Sequence, residues 1–239
     1  CTVALVDPLA CDRVAAALRE HAGCRRRVVV TESYFSMDGD SPDLRTLRQI
    51  CDEADAALLV DEAHAIGVFG PEGRGLCAEQ QVWPDVLIGT LGKALGLSGA
   101  FVVASPVIKS FLWNRARSLV FSTAISPSLA AEVPRRVAWV RGTEGDRARA
   151  RLESWARELR GALGLSGRGP ILPVPARDAA EALTLSERLL AEGVRVNAIR
   201  PPTVPSARLR ITLSAGLSDE QLGFGVRVLA EVVGPARFT

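Results

Sequence analysis

The stretch AALLVDEAHAIGVFGPEGRGLCAEQQVWPDVLIGTLGKALG, residues 56–96, decides the fold. It opens on an apolar run, Ala56 to Asp61, that ends in the polar cluster Asp61-Glu62-Ala63-His64. It closes on a second run, Asp85 to Gly89, followed by a lysine set among glycines, Gly89-Thr90-Leu91-Gly92-Lys93-Ala94-Leu95-Gly96. Short Val- and Leu-rich runs without polar alternation read as strands buried on both faces. Working outward, Arg27 to Thr31 and Ala100 to Ala104 are runs of the same kind, and Asp43 to Asp55 sets Leu44, Leu47 and Ile50 at helical spacing. Such strands with helices between them predict an α/β fold, its sheet parallel or mixed and covered on both sides. In such sheets chemistry gathers at the carboxyl ends of the strands, where both polar clusters stand.

The second half has a different rhythm. Gly145 to Leu163 reads as a charged amphipathic helix, Pro170 to Pro175 as an extended segment and Asp178 to Glu192 as a helix. Val194 to Ile199 and Ala207 to Ser214 read as strands, and Ser218 to Val233 as a closing helix. This predicts a smaller α+β domain over residues 143–239, after a larger one over residues 1–142, with the boundary in the Arg-Gly-Thr-Glu-Gly stretch near Gly142.

Composition narrows the classes. The 239 residues are 48% hydrophobic and carry 29 basic against 27 acidic side chains, a net +2 that argues against a nucleic-acid binder working through a strong positive field. No apolar run reaches the ~18 residues of a membrane span, and nothing reads as a secretory signal, so no membrane partner is expected. The five cysteines, Cys1, Cys11, Cys24, Cys51 and Cys77, form no C-x-x-C pair and no metal-ligand spacing with His21 or His64. Buried or incidental thiols in a reducing cytoplasm are expected, with no metal. Among the basic residues only Lys93 and Lys109 are lysines, and the sole methionine is Met37.

Asp-Glu-Ala-His also occurs as a nucleotide-hydrolysis box in helicases. That reading requires an earlier phosphate-binding loop ending in Gly-Lys-Ser/Thr. The nearest match follows the box, has Leu87 at the first glycine position and Ala94 where a magnesium-binding hydroxyl belongs, so it fails on order and chemistry. An Asp and a His leaving one strand, with a Thr and a Lys leaving the next, instead suit pyridoxal phosphate. That cofactor needs an amine for its aldehyde, a carboxylate for its ring nitrogen and hydroxyls or amides for its phosphate.

Six segments in order then carry a family resemblance: Thr31–Asp40 (TESYFSMDGD), Val60–Gly70 (VDEAHAIGVFG), Gly89–Gly96 (GTLGKALG), Phe121–Pro127 (FSTAISP), Ile199–Pro205 (IRPPTVP) and Ala207–Leu213 (ARLRITL). The chain resembles the α-oxoamine synthases, pyridoxal-phosphate transferases of fold type I, and its last two segments look most like the biotin-pathway member. The resemblance implies that Lys93 holds the cofactor, Asp61 pairs with its ring nitrogen, and His64 and Ser36 hydrogen-bond its phenolic oxygen. It implies that Thr90 binds the phosphate, with Ser122 or Thr123 reaching the phosphate of a neighbouring subunit in a homodimer with a shared active site. Arg210 would grip the amino-acid carboxylate and Thr203 line the substrate site. The implied reaction joins L-alanine to a pimeloyl thioester, carried on coenzyme A or an acyl-carrier protein, with loss of carbon dioxide. Sister activities on glycine or serine, or a catalytically incomplete fragment that keeps the fold, are the alternatives.

The resemblance also implies departures. The family's chains are longer at the amino end, where a ring-stacking histidine lies, so a truncated large domain is expected. The loop Pro205-Ser206-Ala207 looks shorter than usual between the two final segments. His21 reads as a solvated helix residue, Arg25-Arg26-Arg27 as the end of a helix, Arg147 to Arg160 as a solvated helix face, and Trp113 as core and subunit interface. Gly67, Gly70, Gly73 and Gly75 read as a turn-rich loop beside the site.

Overall fold

A computed structural model of the chain describes residues 2–234. It divides into two compact units: residues up to Tyr34 together with Ser41–Asp146, and Phe35–Asp40 together with residues from Arg147 onward. The sequence reading places its boundary near Gly142, whereas these units divide after Asp146 and a six-residue excursion, 35–40, is assigned to the second unit.

The first unit runs α1 (Cys11–Glu20), β1 (Val28–Glu32), α2 (Leu44–Glu53), β2 (Ala57–Asp61), a single 3-10 turn (Pro71–Gly73), α3 (Leu76–Gln80), β3 (Val86–Thr90), β4 (Ala100–Ala104), α4 (Pro106–Arg115), α5 (Arg117–Val120) and α6 (Pro127–Arg141). Its four-stranded sheet is ordered β1-β2-β3-β4. β1, β2 and β3 pair in parallel, and β4 returns antiparallel to β3. The reversal follows from the connection: residues 91–99 are fewer than the dozen or so (~12) a parallel crossover needs.

α2 starts where Asp43 accepts a hydrogen bond from Thr46 N–H at 3.0 Å. It buries Leu44, Leu47 and Cys51, each side chain worth about 1.5–3 kcal/mol on removal from water. On one sheet face Leu58 and Val60 are 0% exposed, while Val103 at its β4 edge is 58% exposed. The other is not covered on both sides as the apolar runs suggested: Val28, Val30 and Val102 share it through the strand register and remain 58%, 67% and 48% exposed.

Helices α4 and α6 were not anticipated. Both begin at Ser-Pro, with Ser105 accepting from Ile108 N–H and Ser126 from Leu129 N–H, and proline as the first helical residue. Trp113, expected in core and subunit interface, is 69% exposed on α4 in the single chain. α1 ends at Glu20, so Arg25–Arg27 follow the helix rather than end it, although Arg27 Nη1 still donates to the last-turn carbonyl of Leu18 at 3.3 Å.

The second unit holds α7 (Thr143–Leu163, the first turn belonging to the first unit), β5 (Ile171–Pro175), α8 (Ala179–Ala191), β6 (Asn197–Ile199), β7 (Arg208–Thr212) and α9 (Asp219–Val233). Its antiparallel sheet is ordered β5-β7-β6. Asp178 caps α8, and a reciprocal Ser218–Gln221 capping box opens α9. Leu159, Leu163, Leu172, Leu189 and Leu209 are almost wholly buried in this unit.

The Arg and Glu alternation of α7 is solvated except at its end. Arg160 is 5% exposed. Its guanidinium donates to the carbonyls of Ser166 (3.0 Å), Gly169 (2.6 Å), Arg168 (2.9 Å) and Ile171 (2.8 Å), and so folds the chain from α7 back into β5.

Candidate active site

The site starts from sheet register. Asp61 is the last residue of β2 and pairs with Ile88 of β3. Thr90 lies two residues beyond Ile88, so the side chains of Asp61 and Thr90 project from the same sheet face at the carboxyl ends of adjacent parallel strands. Asp61 Oδ1 accepts from Ala63 N–H at 2.7 Å, which turns the chain sharply after the strand. Ala65 N–H and Ile66 N–H both donate to the Glu62 carbonyl at 2.9 Å, closing the turn that carries His64.

Lys93 sits on the 91–99 loop, which is pinned at its neck by Leu91 N–H to Gly99 O (2.9 Å) and Leu97 N–H to Leu91 O (2.8 Å). Leu91 and Leu95 anchor the loop in a small apolar cluster with Val140, and Lys93 itself is exposed. Thr90 Oγ1 donates to Gly99 O at 3.2 Å and accepts from Gly92 N–H at 3.1 Å, so it stiffens the base of the same loop.

Two glycines bring the histidine loop and the lysine loop together. A Cβ on Gly67 (φ +82°) would stand 2.4 Å from Ala94 Cβ, next to Lys93. A Cβ on Gly89 would stand 2.8 Å from Ile66 Cδ1 and 2.3 Å from Phe101 Cζ. Glycine leaves room for both approaches, strictly so at Gly67 with its positive φ, and through them Asp61, His64, Thr90 and Lys93 come from two interlocked loops at one sheet end.

Behind this cluster lies Glu62, which the sequence reading quoted only as part of a motif. It is 0% exposed and accepts from Leu76 N–H (3.1 Å) and Cys77 N–H (3.0 Å) at the start of α3. Burial pushes its carboxyl above the usual range, opposed by those backbone N–H groups. Gly75 (φ +92°) leaves the room: a Cβ there would be 1.5 Å from Glu62 Oε2. The expected glycine-shaped loop is thus folded around a buried carboxylate.

Ser122 and Thr123 are exposed after α5, where Ser122 Oγ donates to Leu119 O at 3.3 Å. Ser36, Thr203 and Arg210 belong to the second unit. There Arg210 Nη1 donates to Ser36 O at 3.3 Å, and Arg210 Nε is buried without a hydrogen-bond partner among the described residues. Thr203 is exposed in the turn after β6. Asp38 and Arg208, not among the residues predicted from sequence, form an ion pair beside Arg210. The signal for Arg208 was present in Arg208-Leu209-Arg210, since a two-residue period puts both arginines on one strand face.

Among the described residues, no group of three or more His, Cys, Asp or Glu side chains could hold a metal ion, and no helix is long and apolar enough to cross a membrane. Cys11, Cys24, Cys51 and Cys77 are free thiols, while Cys1 lies outside the described residues. Burial pushes the Cys51 thiol up to about 11, which leaves it protonated and unreactive near neutral pH.

The sequence pattern of the class I and II aminotransferases matches residues 9–229. The chain belongs to this family. Within the aminotransferases it is a relative of the α-oxoamine synthases. It is 44% identical over 216 residues to the 8-amino-7-oxononanoate synthase of Marinobacter nauticus, a match covering 86% of this chain and 54% of that protein. Its fold is similar to that of Sphingomonas wittichii serine palmitoyltransferase, with a TM-score of 0.80 at 29% identity over 92% of this chain and 59% of that one. A further serine palmitoyltransferase structure, solved with pyridoxal phosphate, gives the same TM-score and identity over 92% of this chain and 60% of that one. The chain therefore has the α/β architecture of fold type I, and it spans about half the length of the curated relatives it matches.

Proposed function

We propose that this aminotransferase-family chain is part of a pyridoxal-phosphate-dependent 8-amino-7-oxononanoate synthase, which condenses L-alanine with a pimeloyl thioester and releases carbon dioxide in biotin biosynthesis. The observation that carries the reading is the interlocked pair of loops presenting Asp61, His64, Thr90 and Lys93 at one sheet end. The donor set fits pyridoxal phosphate: one amine, one carboxylate and one hydroxyl issue from adjacent strand ends, and glycines admit a flat ring close to the backbone. Identities of 42–44% to the 8-amino-7-oxononanoate synthases of three bacteria favour alanine as the amino acid.

Each residue then has a task. Lys93 is the amine that holds the cofactor and, once released, takes the α-proton of the amino acid on Nζ. Arginine cannot substitute, because a guanidinium stays protonated. Asp61 keeps a proton on the cofactor's ring nitrogen, and His64 and Ser36 hydrogen-bond its phenolic oxygen. Thr90 hydrogen-bonds the phosphate, and Ser122 or Thr123 does so across a homodimer. Arg210 takes the amino-acid carboxylate in the fork of its guanidinium, and Thr203 lines the pocket. When bound, the cofactor supplies an electron sink for the carbanion left by proton removal or decarboxylation. The setting is the cytoplasm, with the acyl group delivered on coenzyme A or an acyl-carrier protein.

The test is spectroscopic. Pyridoxal phosphate added to the chain is expected to develop the visible absorbance of the protein-bound cofactor, and Lys93→Ala is expected to abolish it. L-Alanine is expected to perturb the band at lower concentration than glycine or L-serine. An unchanged band in Lys93→Ala overturns the lysine assignment, and a response to glycine but not alanine overturns the biotin-pathway reading.

A further inference from the structure

Ser36, Thr203 and Arg210, the three residues proposed to meet the cofactor's phenolic oxygen and the amino acid, come from three separate segments of the second unit. One residue joins all three segments. β7 places Arg208 and Arg210 on the same strand face, while Leu209 and Ile211 between and beyond them are buried on the other. The Arg208 side chain is only 12% exposed, and each of its nitrogens has a partner. Nη1 is ion-paired with Asp38, at the tip of the excursion that carries Ser36. Nη2 donates to Ser206 Oγ at 3.1 Å and Nε to Ser206 O at 3.3 Å, at the end of the loop that carries Thr203. The excursion is itself a closed turn, with Phe35 N–H on Asp40 O and Gly39 N–H on Phe35 O, both 2.9 Å. Its attachment to β7 is completed by Arg210 Nη1 on Ser36 O at 3.3 Å.

We propose that Arg208 is a positioning residue for the amino-acid half of the site: its guanidinium clamps the Ser36 segment through Asp38 and the Thr203 loop through Ser206 onto the strand that presents Arg210. The inference rests on the proposed function, in which Arg210 receives the substrate carboxylate. It also explains the charge arrangement. Two guanidiniums on one strand face repel each other, and a carboxylate arriving from solvent would be shared between them. Asp38 neutralises Arg208 and leaves Arg210, whose buried Nε has no partner among the described residues, as the uncompensated cation. A lysine at 208 would bring a single ammonium, without the fork geometry that holds a carboxylate and a hydroxyl at once.

The experiment uses the cofactor-loaded chain and measures two dissociation constants: pyridoxal phosphate from its visible absorbance, and L-alanine from the change in that absorbance. Arg208→Lys and Asp38→Asn are each expected to weaken L-alanine binding roughly tenfold, as for loss of one charge-assisted contact, and to weaken the cofactor, which loses only the placing of Ser36, by about twofold at most. Arg210→Gln, which removes the proposed carboxylate ligand itself, serves as the reference and is expected to weaken L-alanine binding further. If Arg210→Gln weakens L-alanine binding while Arg208→Lys and Asp38→Asn stay within about twofold of the parent, the clamp is overturned and the functional reading stands. If Arg210→Gln has no effect, the carboxylate role fails first. A parallel loss of cofactor and alanine affinity in Asp38→Asn, whose side chain is 48% exposed, overturns the positioning role in favour of general destabilisation.

Discussion

Replacing Arg160 by Met tests whether one buried guanidinium holds the joint between α7 and β5. The aliphatic stem is largely preserved by Met, so little cavity results and the effect isolates the lost donors. Four carbonyls just beyond α7 lose a partner, but they are not equivalent. Those of Ser166 and Arg168 are partly accessible and turn to water, whereas those of Gly169 and Ile171, at 2.6 and 2.8 Å, are buried. Leaving a buried acceptor unpaired costs about 1–3 kcal/mol, so the two together cost about 2–6 and a central value is about 4 kcal/mol. With a urea m-value of ~2 kcal/mol/M, the unfolding midpoint falls by about 2 M. Trp155 is the probe, being 5% exposed and on the same helix, while Trp83, Trp113 and Trp139 are 79%, 69% and 51% exposed and already emit from a wet environment. Arg160→Lys, with one ammonium able to reach one or two of the carbonyls, is expected to recover about half the loss. A midpoint shift below about 0.5 M for Arg160→Met would refute the reasoning, since the joint would then be held by the surrounding leucines alone.

Gly75→Ala is expected to be among the most damaging single-methyl additions, at about 3 kcal/mol or more, because the new Cβ lands 1.5 Å from a wholly buried carboxylate at a φ of +92°. Thermal unfolding checks the stability, and loss of bound cofactor absorbance checks that the Asp61–His64 turn moves with Glu62. Glu62→Gln probes the raised carboxyl. A folded-state pKa above the unfolded value means the native state holds its proton longer, so this group's contribution is complete below the ordinary glutamate range and is lost as pH rises through its folded value. The parent's stability is therefore expected to fall relative to Glu62→Gln across that interval, by up to ~1.4 kcal/mol per pH unit, in urea midpoints measured from about pH 4 to about pH 8. A constant difference between the two proteins across the series would contradict it.

The strands were readable because Val28–Val30, Leu58–Val60 and Val86–Ile88 are β-branched or leucine runs that suit nothing else at that length. What those runs could not show is which face is covered, since Val30 and Val60 are the same residue type at 67% and 0% exposure. Helices α4 and α6 were missed because Val107, Phe111, Trp113 and Trp139 are exposed and spoil the usual apolar stripe, leaving the Ser-Pro starts as the only local signal. Arg160 hid in a run of arginines and glutamates whose other members are solvated. At the candidate site, Asp61, Thr90 and Lys93 were legible from strand ends and glycines. Glu62 was not, and Arg208 was legible only as a neighbour of Arg210 on one strand face, because their importance lies in partners 14 and 170 residues away.

That last separation bears on how the protein is made and how it can be divided. Asp38 leaves the ribosome well ahead of Arg208, and the closure that joins them spans 170 residues, so the excursion at 35–40 completes late, after both flanking segments have emerged. It also means that the two units are not separable cassettes. A fragment starting at residue 147 would carry Arg208 and Arg210 side by side, stripped of the carboxylate that balances the first and the carbonyl that holds the second. Any split, fusion or circular permutation that respects the compact units has to supply residues 35–40 to the second one in trans, or keep them strung from the first.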